Sequence, residues 1–144
     1  GLGKIVRTAG AARFARALCI SMKAGVSLLE AVSLSAQSTG DPVLEETMDK
    51  VKRRLMEGET LAECFGGLEV LPDGFAQVMA AGEQSGKVVS LLELMADLYD
   101  LEVEAAISSL TVMLEPALLL FIGIFTAIVL MATLQPTILV LQTL

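Results

Sequence analysis

Apolar and polar positions do not follow one rule along this chain. Up to about residue 110 they recur at helical spacing, broken by turns; from Pro116 to Leu134 they give way to unbroken hydrocarbon, PALLLFIGIFTAIVLMATL. In the first part, Leu44, Met48, Val51 and Leu55 follow an i, i+4, i+7, i+11 pattern, while Glu45, Glu46, Asp49, Lys52 and Arg53 stand off that face, as expected of an amphipathic helix. Leu91, Met95, Leu98 and Leu101 mark a second periodic face. No stretch alternates apolar and polar residues long enough to suggest a strand. Ser27–Glu30 and Thr60–Glu63 have the spacing of capping boxes, and Asp41-Pro42 reads as an N-cap followed by proline at the first helical position. Gly25, Gly40, Gly58 and Gly66 fall where C-terminal caps are expected. These marks predict helices near 9–23, 27–38, 42–57, 61–65, 73–81 and 88–109, the last continuing with few breaks into the apolar segment. Connections of two to six residues favour antiparallel neighbours. The expected fold is all-α, an antiparallel six-helix bundle followed by one transmembrane helix. The expected domains are a cytoplasmic helical bundle over 1–110 and a membrane helix with a short tail over 111–144.

The 19 residues from Pro116 to Leu134 would span about 28 Å as a helix, near the thickness of a bilayer's hydrocarbon core. The segment is apolar on every face and too long for a 144-residue chain to bury in a globule. All ten Lys and Arg lie before it and none after, so the positive-inside rule places the bundle in the cytoplasm and the C-terminus on the outer side. Gly123 and Ala127 are a small-xxx-small pair inside the span, where helix backbones can approach closely. Pro136 stands near its far end, where a kink or stop is tolerated.

The net charge of −7 hides a division. Lys4, Arg7, Arg13, Arg16 and Lys23 stand in the first 29 residues with no acid, a distribution that suits either a solvated face or an anionic membrane surface. All 17 acids follow. The acidic balance and the aromatic content of 4% disfavour nucleic acid as a partner. There is no histidine, hence neither the commonest general base nor the commonest metal ligand. Cys19 and Cys64 are isolated thiols without metal or redox spacing and read as small buried hydrophobes. No cofactor or metal site is expected. The chain begins at Gly1 without methionine and reads as a fragment or processed piece with no signal peptide.

Three groups of residues are singled out. Gly82-Glu83-Gln84-Ser85-Gly86-Lys87-Val88 superficially resembles a phosphate-binding loop, but it has three residues between its glycines, Val88 after the lysine, and no preceding strand. It reads as a tight helix–helix turn, with Gly82 as left-handed cap, Gly86 permitting close approach, and Glu83 bonding amides at the start of the helix from Val88, or else contacting a partner. Glu93, Asp97, Asp100 and Glu104 are spaced four, three and four, an acidic stripe that is either solvated or a docking surface for a basic partner. Glu115-Pro116 marks the membrane boundary, where proline predicts a break or kink and the acid either sits among headgroups or contacts another subunit. No nucleophile or pocket accompanies these carboxylates, so no catalysis follows from them. A tail-anchored helical adaptor would also fit the head and tail. An intramembrane enzyme using Glu115 would have only Thr126 and Thr133 as further polar groups in the span.

Arg13-Phe14, Ala24-Gly25-Val26 with Leu29-Glu30, Gly58 with Leu61, Pro72, Gly82-Glu83, Ser85-Gly86, and Glu115-Pro116 opening a span that ends with Pro136 together resemble the F component of type II secretion systems and the related inner-membrane platform protein of type IV pili. Val88 stands where that family more often has leucine. The resemblance implies the second of two six-helix cytoplasmic domains and the final membrane helix. It further implies a non-enzymatic scaffold in the bacterial inner membrane, a homo-oligomer that contacts a cytoplasmic hexameric ATPase, pilins or pseudopilins, and other inner-membrane assembly proteins.

Overall fold

The computed structural model describes residues 2–143. Six α-helices follow one another, with no strand among the described residues: α1 (Leu2–Lys23), α2 (Leu28–Thr39), α3 (Pro42–Met56), α4 (Leu61–Phe65), α5 (Phe75–Ser85) and α6 (Val88–Thr143). The chain divides between Glu104 and Ala105 into two compact units. Helix α6 contributes to both, so the last bundle helix and the apolar segment belong to one helical element.

The expected caps form at the starts of three helices. Asp41 accepts from the Val43 amide at 3.0 Å. Thr60 and Glu63 complete a reciprocal capping box, whereas at Ser27 the bond to the Glu30 amide is long, 3.5 Å. Gly25, Gly40 and Gly58 adopt the left-handed conformation that L side chains resist. Gly66 does not; it is extended, and Gly67 carries the positive φ instead. Helix α1 starts seven residues before the expected boundary, because Lys4–Ala9 has no breaker and Thr8 is buried against the core.

Within the first unit, α1 packs on α2, α2 on α3, α3 on α4 and α4 on α5. The core is held by Phe14, Leu18, Val32, Met48, Val51, Phe65, Phe75, Met79 and Leu92, all at most 2% exposed. Phe75 is its hub, with ring centroids 6.0 Å from Phe14 and 5.4 Å from Phe65 in tilted pairs. Arg7 adds a polar tie from α1, donating from Nε and Nη2 to the Leu71 carbonyl at 3.2 and 2.7 Å. The expected α3 face is the buried one, with Leu55 packed at its edge. The expected α6 face is rotated: Leu98 and Leu101 are 52% and 60% exposed, and Leu92, Met95, Ala96 and Tyr99 do the packing. Two apolar stripes run along this helix, and periodicity alone does not say which one meets the core.

In the second unit the helix is unbroken through Pro116 and Pro136, so the break expected at Glu115-Pro116 does not occur. Each proline removes a single N–H, and the turns on either side retain their bonds. The segment is long and apolar enough to cross a membrane, and no residue of its most apolar stretch is buried. Thr126 and Thr133 donate to the carbonyls of Ile122 and Val129, both at 2.8 Å, so the span's hydroxyls are satisfied within their own helix.

Candidate functional site

The three turns α1–α2, α3–α4 and α5–α6 surround a hollow of about 560 Å³ in the first unit, lined by residues from 22 to 28, 55 to 61 and 82 to 90. Met22, Leu28, Leu55, Leu61 and Val88 supply its apolar wall, and Glu83 and Lys87 its charge.

The Gly82–Val88 segment builds one side of it, with the two glycine roles exchanged relative to expectation. Helix α5 continues past Gly82, which is buried, and a Cβ there would lie 2.8 Å from the Val88 Cα. Gly82 is the close-approach position. Gly86, at φ 72°, is the left-handed cap. The amides of Gly86 and Lys87 both donate to the Gly82 carbonyl, the latter at 3.0 Å. Ser85 Oγ donates to the Ala81 carbonyl at 2.8 Å, which spends that hydroxyl inside the helix.

Glu83 does bond a helix start, but of α4 and not of α6: its Oε2 accepts from the Leu61 amide at 2.7 Å. Leu61 follows the Thr60 cap, where a backbone donor has no partner inside its own helix. A charged acceptor on such an amide is worth about 1.5–3 kcal/mol. Glu83→Ala is therefore expected to lower the unfolding free energy by about 1–2 kcal/mol, and Glu83→Gln, which keeps an acceptor oxygen, by less than half as much. Thermal unfolding followed by the fluorescence of Tyr99, the single tyrosine in a chain without tryptophan, checks both.

The acidic stripe on α6 turns toward cations of α1. Arg16 Nη2 lies 2.6 Å from Asp97 and 3.0 Å from Asp100, and Lys23 Nζ lies 3.0 Å from Glu93. The hydrogen bonds that Arg16 donates to Asp97 and Asp100 raise its pKa, and the one that Lys23 donates to Glu93 raises that of Lys23. These pairs are more than a third exposed, so solvent screens them and they add little to stability. Three of the four acids are thereby paired within the chain. Glu104 forms no ion pair among the described residues. Sequence spacing found the acids but not their cations, which lie more than 65 residues away.

Glu115, Pro116, Gly123 and Ala127 belong to the second unit, where all four are exposed. A Cβ at Gly123 would meet nothing within 4 Å, so the Gly123–Ala127 face is open to another helix or to lipid. Among the described residues, no group of three or more acids or thiols is placed to hold a metal. Desolvation raises the Cys64 pKa, and Cys19 and Cys64 are both buried as free thiols. The arrangement offers an apolar recess, internal ion pairs and a lipid-compatible helix, which are means of packing and holding.

Known proteins resemble the chain over most of its length. Residues 14–136 match the family model described as type II secretion system (T2SS), protein F. The chain is 36% identical over 121 residues to the type IV pilus assembly protein PilC of Myxococcus xanthus, covering 84% of this chain and 29% of that protein. It is 29% identical over 143 residues to PilC of Thermus thermophilus, covering 99% and 35%. It is 27% identical over 135 residues to the type II secretion system protein F of Pseudomonas aeruginosa, covering 94% and 33%. The chain thus spans about a third of the length of these curated relatives.

Proposed function

The chain belongs to the type II secretion system protein F family, and from that premise we propose that it is a non-enzymatic platform component in the bacterial inner membrane, linking a cytoplasmic hexameric ATPase to the assembly of pilins or pseudopilins. The observation that carries this reading is helix α6, which supplies both core residues of the first unit and the apolar stretch of the second. Residues that bind the bundle and residues suited to lipid share one element. Ion pairs such as Arg16 with Asp97 and Asp100 tie α1 to α6 within the bundle, which suits a part that holds its shape. The first unit then lies in the cytoplasm, where the ATPase acts, and the C-terminal end of α6 on the outer side. Gly123 and Ala127 are the positions for close contact with a neighbouring membrane helix, and Glu115 lies at the boundary where a polar partner can meet it.

Co-purification tests the proposal. The tagged full-length protein, extracted in mild detergent, is expected to bring down a phosphate-loop ATPase and a pilin-like subunit. Deletion of its gene is expected to abolish filament assembly or secretion. Normal assembly and secretion in the deletion strain, with neither partner recovered, would replace this reading by a membrane-anchored adaptor.

A further inference from the structure

We propose that the first two turns of α1 are a second membrane contact of this chain, in which Leu2 and Val6 enter the headgroup boundary of an anionic bilayer while Lys4 and Arg7 bind its phosphates. Nothing in the bundle covers these turns. Burial in α1 begins at Thr8, and before it Leu2 and Val6 are 69% and 68% exposed. A Cβ at Gly3 would meet nothing within 4 Å. Leu2 and Val6, at i and i+4, share one side of the helix, and Lys4 and Arg7, at i and i+3, share another. An apolar side next to a cationic one is the pattern of helices that bind a bilayer's interface. Lys4 forms no salt bridge among the described residues. Arg7 donates from Nε and Nη2 to the Leu71 carbonyl, and the exposed Asp73 lies 3.9 Å from Nη2, which leaves Nη1 for a phosphate. No acid precedes Glu30 in the sequence.

Helix direction favours lipid over a protein partner. Arg16 pairs with Asp97 and Asp100, and Lys23 with Glu93, so α1 and the start of α6 run antiparallel. Helix α1 therefore begins at the end of the first unit from which α6 leaves it, after Glu104. At about 1.5 Å per residue, Leu2 lies roughly 21 Å along α1 from Arg16, and Pro116 roughly 24 Å along α6 from Asp100. The two lengths nearly match, so the uncovered turns of α1 are long enough to meet the lipid that α6 enters. There a cation gains from the negative surface potential of an anionic leaflet, and exposed leucine and valine gain from leaving water. A bundle held by α6 alone is free to tilt about that helix; a second contact at α1 fixes its tilt. The inference rests on α6 as the membrane span and needs neither ATPase nor pilin.

The experiment places the full-length chain in nanodiscs of phosphatidylcholine, with or without phosphatidylglycerol, and attaches a fluorescent dye at Val6→Cys or, as control, at Leu34→Cys, whose position on α2 is also exposed. Cys19 and Cys64 are buried, so the introduced thiol is the one that reacts. In anionic discs, lipid carrying a nitroxide on its headgroup is expected to quench the dye at Val6→Cys about threefold more than at Leu34→Cys. Omitting phosphatidylglycerol, or adding Lys4→Glu, is expected to lower the Val6→Cys quenching about twofold, and Lys4→Arg to leave it unchanged. Tyr99 fluorescence verifies that each variant is folded. Elution of the chain apart from the discs would overturn the membrane-span reading and this proposal together. Elution with the discs, but with quenching at Val6→Cys no greater than at Leu34→Cys, would overturn the proposal alone. So would equal quenching without phosphatidylglycerol, or insensitivity to Lys4→Glu.

Discussion

Gly82→Val is expected to unfold the first unit more than any other single substitution at a glycine of the chain. Gly82 lies inside α5, where a side chain would ordinarily help: glycine in a helix interior costs about 1 kcal/mol against alanine. Here the space decides otherwise. A Cβ would sit 2.8 Å from the Val88 Cα and 3.3 Å from the Val88 nitrogen. Those are backbone atoms, and no rotamer relieves the clash. The start of α6 must move, and with it Leu92, Met95, Ala96 and Tyr99, which bring that helix onto the core. Overpacking of this kind costs about 1–3 kcal/mol, and the two methyl groups of valine place it at the upper end or beyond. A net loss of about 3 kcal/mol corresponds to a fall of roughly 15 °C in the midpoint for a domain of about 100 residues. Two controls separate crowding from backbone strain. Gly86→Ala has open space but a φ of 72°, so it is expected to cost only about 1 kcal/mol. Gly10→Ala meets nothing within 4 Å in helix α1 and is expected to be neutral or mildly stabilising. Melting of the three variants by Tyr99 fluorescence gives the order; a midpoint for Gly82→Val within a few degrees of the parent would refute the close-approach role.

The second large effect concerns lipid. Between Pro116 and Leu134 stand eleven Leu, Ile, Phe and Val residues. At about 0.3–0.6 kcal/mol each, they contribute roughly 5 kcal/mol toward insertion, and an arginine at the helix centre opposes it by about 3 kcal/mol. One central arginine leaves only about 1–2 kcal/mol toward insertion; two reverse the sign. Ile124→Arg combined with Phe125→Arg is therefore expected to move the chain from the carbonate-resistant membrane fraction to the soluble or aggregated one. Phe125→Leu should leave it in place, and so should Met56→Arg, which is in the first unit. Undiminished membrane retention of the double variant would mean that this stretch is held by protein and not by lipid.

What the sequence made legible was mostly local. Thr60, Asp41 and the glycines at 25, 40 and 58 act within their own turns, so their chemistry is readable from a few neighbouring residues. The apolar run was equally plain, because a segment without a polar face is long and apolar enough to cross a membrane. Choices between near-equivalent faces were not legible. Helix α6 carries leucines on two sides, and only the presence of Phe14, Leu18 and their neighbours selects Leu92 and Tyr99 over Leu98 and Leu101. The Gly82–Gly86 turn was recognised as a turn, but which glycine is crowded and which is left-handed depends on where α5 ends. That end is set by packing against α4 and is displaced four residues from the expected one. Glu83 found an orphan amide of the expected kind on a different helix, a choice that short-range spacing does not encode.

The account rests on one helix that is core at its beginning and membrane span further on, and the side of the membrane reached by each part tests it most directly. Single cysteines introduced as Asp49→Cys on α3 and Thr143→Cys near the end of α6 are to be treated with a membrane-impermeant maleimide in intact spheroplasts and again after lysis. The buried Cys19 and Cys64, with the Cys64 thiol pushed up by desolvation, are expected to leave the parent chain unlabelled. The account predicts labelling of Thr143→Cys in intact cells and of Asp49→Cys only after lysis. Labelling of both from the same side, whether before or after lysis, would contradict it.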